Sequence, residues 1–297
     1  MFKSGFIGII GRPNVGKSTL MNAIMGDKIA ITTHKPQTTR NRITGIRNIE
    51  GGQLVFIDTP GIHRATTLLN RSMVDAAREV FDSADILLFL VEAPTGLQPD
   101  DRYILDVLKE VSLPVILCVN KIDLVEKTRL LPVIEEARHL FPFLAIIPVS
   151  ALKADGLTQL LEEIRQALPE GQPYFPEEMF TDRSERFIAA EIIREKIMLL
   201  VHQEVPYASA VMVDAFKENE AKNLIRIAAT ITVEKESQKA IIIGKGGDML
   251  KKIGTQARHD LEKFFATRIF LELFVRVRKD WTHSDKMLKE FGYKGKS

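Results

Sequence analysis

Residues 11–18 read Gly-Arg-Pro-Asn-Val-Gly-Lys-Ser, with the apolar run Phe6–Ile10 before them and a helical pattern over Lys17–Met25 after. No other stretch restricts the fold so strongly. The pattern G-x-x-x-x-G-K-[ST] between a strand and a helix makes a loop whose backbone N–H groups converge on phosphate oxygens. The helix N-terminus behind it adds its dipole. Lys17 would reach the β- and γ-phosphates, and Ser18 would ligate Mg²⁺. Gly11, Arg12, Pro13, Asn14, Val15 and Gly16 form the cradle, and Thr19 follows in the first helical turn.

Alternation of strand and helix patterns continues to residue 168. Apolar runs at Leu54–Ile57, Ile86–Val91, Val115–Val119 and Leu144–Val149 read as strands buried on both faces. Arg42–Asn48 reads as an exposed edge strand. Helical patterns cover Leu69–Phe81, Asp101–Val111, Thr128–His139 and Leu157–Leu168. The order implies an α/β fold with a doubly wound, mostly parallel sheet over residues 1–169. Pro169, Gly171, Pro173 and Pro176 break the pattern, so 170–183 reads as a linker. Residues 184–297 change order: a helix over Ser184–Gln203, strands Ala208–Ala215 and Leu224–Val233, helices Gln238–Ile243 and Asp248–Ala266 around Gly244–Gly247, a strand Arg268–Arg278 and a short helix Ser284–Phe291. In the last strand Ile269, Leu271, Leu273, Val275 and Val277 share one face. This is a small α+β domain.

Two motifs specify the nucleotide. Asn120-Lys121-Ile122-Asp123 follows a strand and matches N-K-x-D. The Asp123 carboxylate can accept from guanine N1–H and the N2 amine, which adenine cannot supply. Leaving that carboxylate unpaired rejects the wrong base by about 10⁴-fold. Asn120 would brace the loop, the Lys121 stem would cover the ring, and a backbone N–H near Ser150-Ala151 would donate to O6. Asp58-Thr59-Pro60-Gly61 matches D-x-x-G: Asp58 would hold Mg²⁺ through water, and the Gly61 N–H would bind the γ-phosphate. Thr38 and Thr39 lie in the polar stretch 32–41, where a threonine can ligate Mg²⁺ only while the γ-phosphate is present, an order–disorder switch. Lys17, Thr39 and Gly61 are thus the candidate catalytic groups. Ile62 stands where many GTPases orient water with Gln, and it cannot hydrogen-bond a water, so slow intrinsic turnover is expected.

Charge separates the two ends. The chain carries +2 overall, but residues 240–297 hold 13 Lys/Arg against 7 Asp/Glu, a net +6, leaving −4 before them. A basic end points to a polyanionic partner. Ile243-Gly244-Lys245-Gly246-Gly247, with Leu250 beyond, resembles the I-G-x-x-G-x-x-I region of KH domains. Its glycines allow a nucleic-acid backbone to approach, and Lys251, Lys252 and Arg258 extend the charge. The α-β-β-α-α-β order resembles a type II KH fold.

The motif order resembles the translation-factor-like class of P-loop GTPases, and Pro13–Ser18 with Gln37-Thr38-Thr39-Arg40 resembles its TrmE–Era–EngA branch. Joined to one KH domain, the chain looks like the bacterial Era family over nearly its whole length. That resemblance implies GTP hydrolysis to GDP with Mg²⁺, binding near the 3′ end of 16S rRNA, a role in 30S subunit assembly, and peripheral association with the inner face of the plasma membrane. It also implies a potassium site from Asn14, Thr33, Thr38 and the Lys35 backbone, as in potassium-dependent relatives. A monomer is the default. Two rivals stay open: a signalling GTPase whose basic tail binds lipid, and an RNA-binding assembly protein that only holds nucleotide. A P-loop ATPase or kinase would leave Asn120–Asp123 without a purpose. Cys118 is the only cysteine, which excludes an intrachain disulfide and makes a reducing, cytoplasmic location the expectation. No apolar run nears the about 20 residues of a membrane span.

Overall fold

The computed structural model describes residues 1–35, 38–61, 68–69 and 79–293. The chain divides into two compact units.

In the first unit, six strands form a sheet in the order β2-β3-β1-β4-β5-β6 among the described residues. They are β1 (Lys3–Ile10), β2 (Ile43–Ile49), β3 (Gly52–Asp58), β4 (Ile86–Glu92), β5 (Val115–Asn120) and β6 (Ala145–Pro148). All pairings are parallel except β2 with β3. All seven residues of β3 and all six of β5 are buried, as expected for strands covered on both faces. Cys118 lies in β5, and burial pushes its thiol up to about 12. Helices α1 (Lys17–Met25), α2 (Pro99–Leu108), α3 (Leu130–Leu140) and α4 (Leu157–Ala167) connect the strands. The expected helix over Leu69–Phe81 falls mostly on residues 70–78, outside the described residues.

Parallel register brings the motifs together. Ile9 of β1 pairs with Asp58 of β3, and Glu92 of β4 pairs with Asn120 of β5. The phosphate loop, Asp58 and Asn120 therefore all emerge at the carboxyl ends of adjacent strands, where open α/β sheets bind ligands.

The proline-rich segment expected to be a linker is held down over most of its length. Gln53, fully buried, accepts from the Tyr174 and Phe175 N–H groups at 2.7 and 2.9 Å and donates to the Phe175 carbonyl at 2.8 Å. The Tyr174 ring lies 4.7 Å from that of Phe6. Ile46 donates to the Phe180 carbonyl at 2.9 Å, Thr181 to the Thr44 carbonyl at 2.7 Å, and Asn48 to the Glu177 carbonyl at 2.8 Å. The β2 edge, expected to be exposed, is covered.

The second unit has α5 (Glu185–Leu200), β7 (Ala210–Asn219), β8 (Leu224–Val233), α6 (Glu236–Ile243), α7 (Asp248–Phe265), β9 (Arg268–Val277) and α8 (Asp285–Glu290). The sheet order is β7-β8-β9, antiparallel then parallel. Ser184 caps α5 by accepting from the Phe187 N–H at 3.3 Å. On β9, Ile269 is buried and Leu271, Leu273, Val275 and Val277 pack against the core, while Phe270 and Phe274 face outward. The described residues of 31–38 cluster with this unit. Glu195 of α5 accepts from the Thr32 N–H at 3.0 Å, and Lys35 Nζ donates to the Val201 carbonyl at 2.5 Å, at the helix's electronegative end. Arg194 donates to the Thr38 carbonyl while pairing with Glu191 at 2.6 Å.

Trp281 anchors the end of this unit. It is fully buried, donates to the Ala208 carbonyl at 3.0 Å, and meets the Phe291 ring edge-on at 5.2 Å. Trp281→Ala should cost the second unit about 3–5 kcal/mol. As Trp281 is the only tryptophan, wild-type fluorescence identifies the calorimetric transition that this variant should lower.

Candidate functional site

The phosphate loop depends on backbone that only glycine adopts easily. Gly16 has φ +99°, and a Cβ there would overlap Asn120 Nδ2. Lys17 is buried, and its ammonium donates to the Gly11 and Arg12 carbonyls at 3.1 and 3.0 Å. Burial pulls Lys17 down to about 8 against the attraction of Asp58. Gly61 lies against the loop, where a Cβ would come within 2.7 Å of Pro13 N. Its backbone thus faces the cradle from the β3 side.

Ser18, Thr39 and Asp58 converge beside Lys17. Ser18 Oγ donates to Asp58 Oδ2 at 2.6 Å and lies 2.8 Å from Thr39 Oγ1, which donates to the same Oδ2 at 3.2 Å. Asp58 is fully buried, and its Oδ1 has no hydrogen-bond partner among the described residues. Burial raises its pKa. An orphaned buried carboxylate oxygen beside two hydroxyls is a donor set for a hard dication that keeps other oxygen ligands, so the residues fit Mg²⁺. Thr59 donates to the Ile9 carbonyl at 2.7 Å and fixes the exit of β3. Pro60 follows it. Ile62 lies outside the described residues.

The base-reading residues form a second cluster. Asn120 Nδ2 donates to the Val15 carbonyl at 2.7 Å, and its Oδ1 accepts from the Ala151 N–H at 3.0 Å. One side chain thereby ties the phosphate loop to the Ser150-Ala151 turn. The Ala151 N–H, one of the N–H groups expected to face O6, is engaged by Asn120 here. Asp123 is exposed at the start of a short 3-10 turn with Ile122, and Ser150 Oγ donates to its Oδ1 at 2.6 Å. Lys121 Nζ donates to the Asn14 carbonyl at 2.9 Å and pairs with Glu92.

The Arg12 side chain has partners outside the loop. Its guanidinium binds Glu92 at 2.6 Å, Thr95 at 2.7 Å and Asp101 at 3.1 Å rather than turning into the cradle. Buried carboxylates outcompete solvent for it. Glu92, Thr95 and Asp101 match no short motif; the one available signal is an acidic residue at the end of a parallel strand.

The residues expected to hold potassium divide between the units. Thr33 and Thr38 hydroxyls lie 2.6 Å apart, and Thr38 donates to the Lys35 carbonyl at 2.7 Å. These belong to the second unit, while Asn14 belongs to the first.

At the glycine loop of the second unit, Gly244, Gly246 and Gly247 have φ of +75°, +61° and +86°. A Cβ on Gly246 or Gly247 would meet nothing within 4 Å, so the loop presents bare backbone. Lys245, Lys251 and Lys252 are exposed, and Ile243 is half-buried. Asp248, Lys251, Lys252, Thr255 and Gln256 line a depression of about 280 Å³. Arg258 pairs with Glu262 at 3.5 Å.

A mostly parallel sheet with a phosphate loop, a metal-directed aspartate and an N-K-x-D loop at its carboxyl ends, in one chain with this α+β unit, defines a P-loop GTPase carrying a KH domain. Residues 6–121 match a family model described as 50S ribosome-binding GTPase, and residues 204–282 match the KH domain. The chain is 65% identical to GTPase Era of Syntrophus aciditrophicus (strain SB), over 99% of this chain and 96% of that protein. It is 57% identical to GTPase Era of Geobacter metallireducens, over 98% of each. It matches a crystal structure of Era in complex with MgGDPNP and nucleotides 1506–1542 of 16S ribosomal RNA at a TM-score of 0.96 and 41% identity, over 99% of this chain and 100% of that one. An Aquifex aeolicus Era variant bound to GDP·AlF4⁻ matches with the same TM-score at 42% identity, with the same coverage. The chain belongs to the Era family of GTPases.

The buried Lys17 makes nucleotide-free stability depend on pH. The unfolded chain keeps this proton to about pH 10.5, and the folded one releases it near pH 8. Between those values the unfolded state binds more protons, so stability rises with pH. Urea midpoints of the nucleotide-free protein should show this rise, and Lys17→Met should flatten it.

Proposed function

We propose that this chain is a GTP-hydrolysing switch that binds the 3′-end region of 16S rRNA and assists assembly of the small ribosomal subunit. The observation that carries the reading is how Thr32, Thr38 and Thr39 are held. Thr32 is hydrogen-bonded by Glu195 and Thr38 by Arg194 of the KH unit, and the next residue, Thr39, joins Ser18 and Asp58. A segment held in this way transmits the state of the phosphate site along its own backbone. The Era crystallised with MgGDPNP and 16S nucleotides 1506–1542 supports the same reading for this chain.

In this mechanism Asn120 and Ser150 hold the base loop, and Asp123 accepts from guanine N1–H and N2. Lys17 and the loop amides from Asn14 to Thr19 bind phosphate oxygens, and the Gly61 N–H meets the γ-phosphate. Ser18, Thr39 and Asp58 hold Mg²⁺, which neutralises charge developing on the transferred phosphoryl group. No side chain at position 62 can orient water, so turnover is slow. As in potassium-dependent relatives, Asn14, Thr33, Thr38 and the Lys35 backbone would hold potassium; turnover should then be faster in potassium than in sodium. RNA bases would lie beside Ile243 with the backbone over Gly244–Gly247. The protein works in the cytoplasm as a monomer, and its net positive end favours peripheral attachment to an anionic membrane face. No described helix is long and apolar enough to cross a membrane.

The test is binding of a 16S 3′-end oligonucleotide by the full chain with Mg²⁺ and either a non-hydrolysable GTP analogue or GDP. Binding should require the analogue and vanish in Gly246→Asp, where backbone at φ +61° would carry a side chain and a negative charge. By linkage, RNA should tighten the analogue by the factor that the analogue tightens RNA. Equal affinity in both nucleotide states would overturn the switch, and no binding would overturn the RNA reading.

A further inference from the structure

Glu92 ends β4, and the strand register sets it beside Asn120, the first residue of N-K-x-D. Its side chain is only 12% exposed, and both of its oxygens are engaged by cations. Oε2 accepts from Arg12 Nη2 at 2.6 Å, and Oε1 accepts from Lys121 Nζ. Arg12 belongs to the phosphate loop and Lys121 to the base-reading loop. Lys121 spans back to the phosphate loop through the Asn14 carbonyl, and Arg12 reaches the buried Asp101 at the start of α2. A single carboxylate therefore joins the two halves of the nucleotide site.

Backbone geometry makes this tie consequential. Lys121 sits at φ +65° and Asn14 at φ +67°, a region that L-residues occupy only when surrounding contacts hold them there. Burial alone would raise the Glu92 pKa, but hydrogen bonds from Lys121 and Arg12 prevail and keep it below the usual range. Glu92 is thus a charged anchor at neutral pH.

We propose that Glu92 is a positioning residue of the nucleotide site: it holds Lys121 and Arg12 together so that the wall over the purine ring and the phosphate cradle are set as one piece. It touches no phosphate and reads no base edge. Its effect falls on how long nucleotide stays bound, equally for the ground and transition states. The inference rests on the nucleotide-site assignment above.

The experiment measures dissociation of fluorescent GDP and steady-state turnover by the full chain, wild type and Glu92→Gln. The glutamine keeps the shape, removes the charge, and turns an amide donor toward one of the cations. GDP dissociation should speed up by about ten- to a hundredfold, the range expected for lost charge-assisted hydrogen bonds. KM should rise with kcat unchanged, the signature of uniform binding. The ratio of GDP to IDP affinity should stay constant, because Asp123 alone reads the N2 amine. In a Lys121→Met background Glu92→Gln should lose most of its effect, while Glu92→Asp, which keeps the charge on a shorter stem, should be intermediate. Unchanged dissociation in Glu92→Gln, or an effect of the same size without Lys121, would overturn the proposal. A lowered melting temperature with normal dissociation would also overturn it, leaving Glu92 a staple of the fold. If Glu92→Gln does not fold, Glu92→Asp decides by its dissociation rate. Failure of wild type to bind GDP would instead overturn the nucleotide site itself.

Discussion

The parallel pairing of β1 with β3 is the constraint on which the nucleotide site depends. It places Ile9 against Asp58, so the chain leaving β1 as the phosphate loop starts one residue from the strand end that carries the metal-directed carboxylate. Ser18 then meets Asp58 without any long side chain having to reach. A slip of one residue would turn Asp58 to the opposite face of the sheet, because side chains alternate with period two.

The site holds charges in surroundings that disfavour them. Lys17 and Asp58 are both buried, and burial moves each toward its neutral form. Among the described residues Lys17 leans on two carbonyls, and one oxygen of Asp58 has no partner. Free polar capacity of this kind costs stability in the empty protein and is satisfied when phosphate and a dication arrive. The same logic distinguishes Arg12 and Lys121. Their charges are already answered by Glu92, so they shape the cradle rather than wait for its ligand.

Much of this was legible in the sequence, for local reasons. The strands β3 to β5 show as short apolar runs because both faces are buried, and Asn120–Asp123 and Gly11–Ser18 are contiguous. The type II KH order was readable from the α-β-β-α-α-β succession of patterns, and its loop glycines Gly244, Gly246 and Gly247 take positive φ. What escaped reading depends on distant partners. Arg12 lies inside the motif, which gives no sign that its guanidinium binds carboxylates 80 and 89 residues away. Nothing local marks Arg194 and Glu195 as partners for residues 32 and 38. The prolines of 170–183 mark the end of regular structure correctly, but they are silent about the extended chain between them, which satisfies its backbone on Gln53 and β2.

That last arrangement bears on where the chain can be divided. Residues 174–181 occupy the outer side of β2 through the Ile46 N–H, the Thr44 carbonyl and the Asn48 side chain. A fragment ending at residue 169, where the helical pattern stops, would strip this cover and leave an open edge strand with unanswered backbone groups. Open edges recruit strands from other copies, so such a fragment would self-associate. The first unit runs to Asp182, and the proline-rich stretch seals its edge strand.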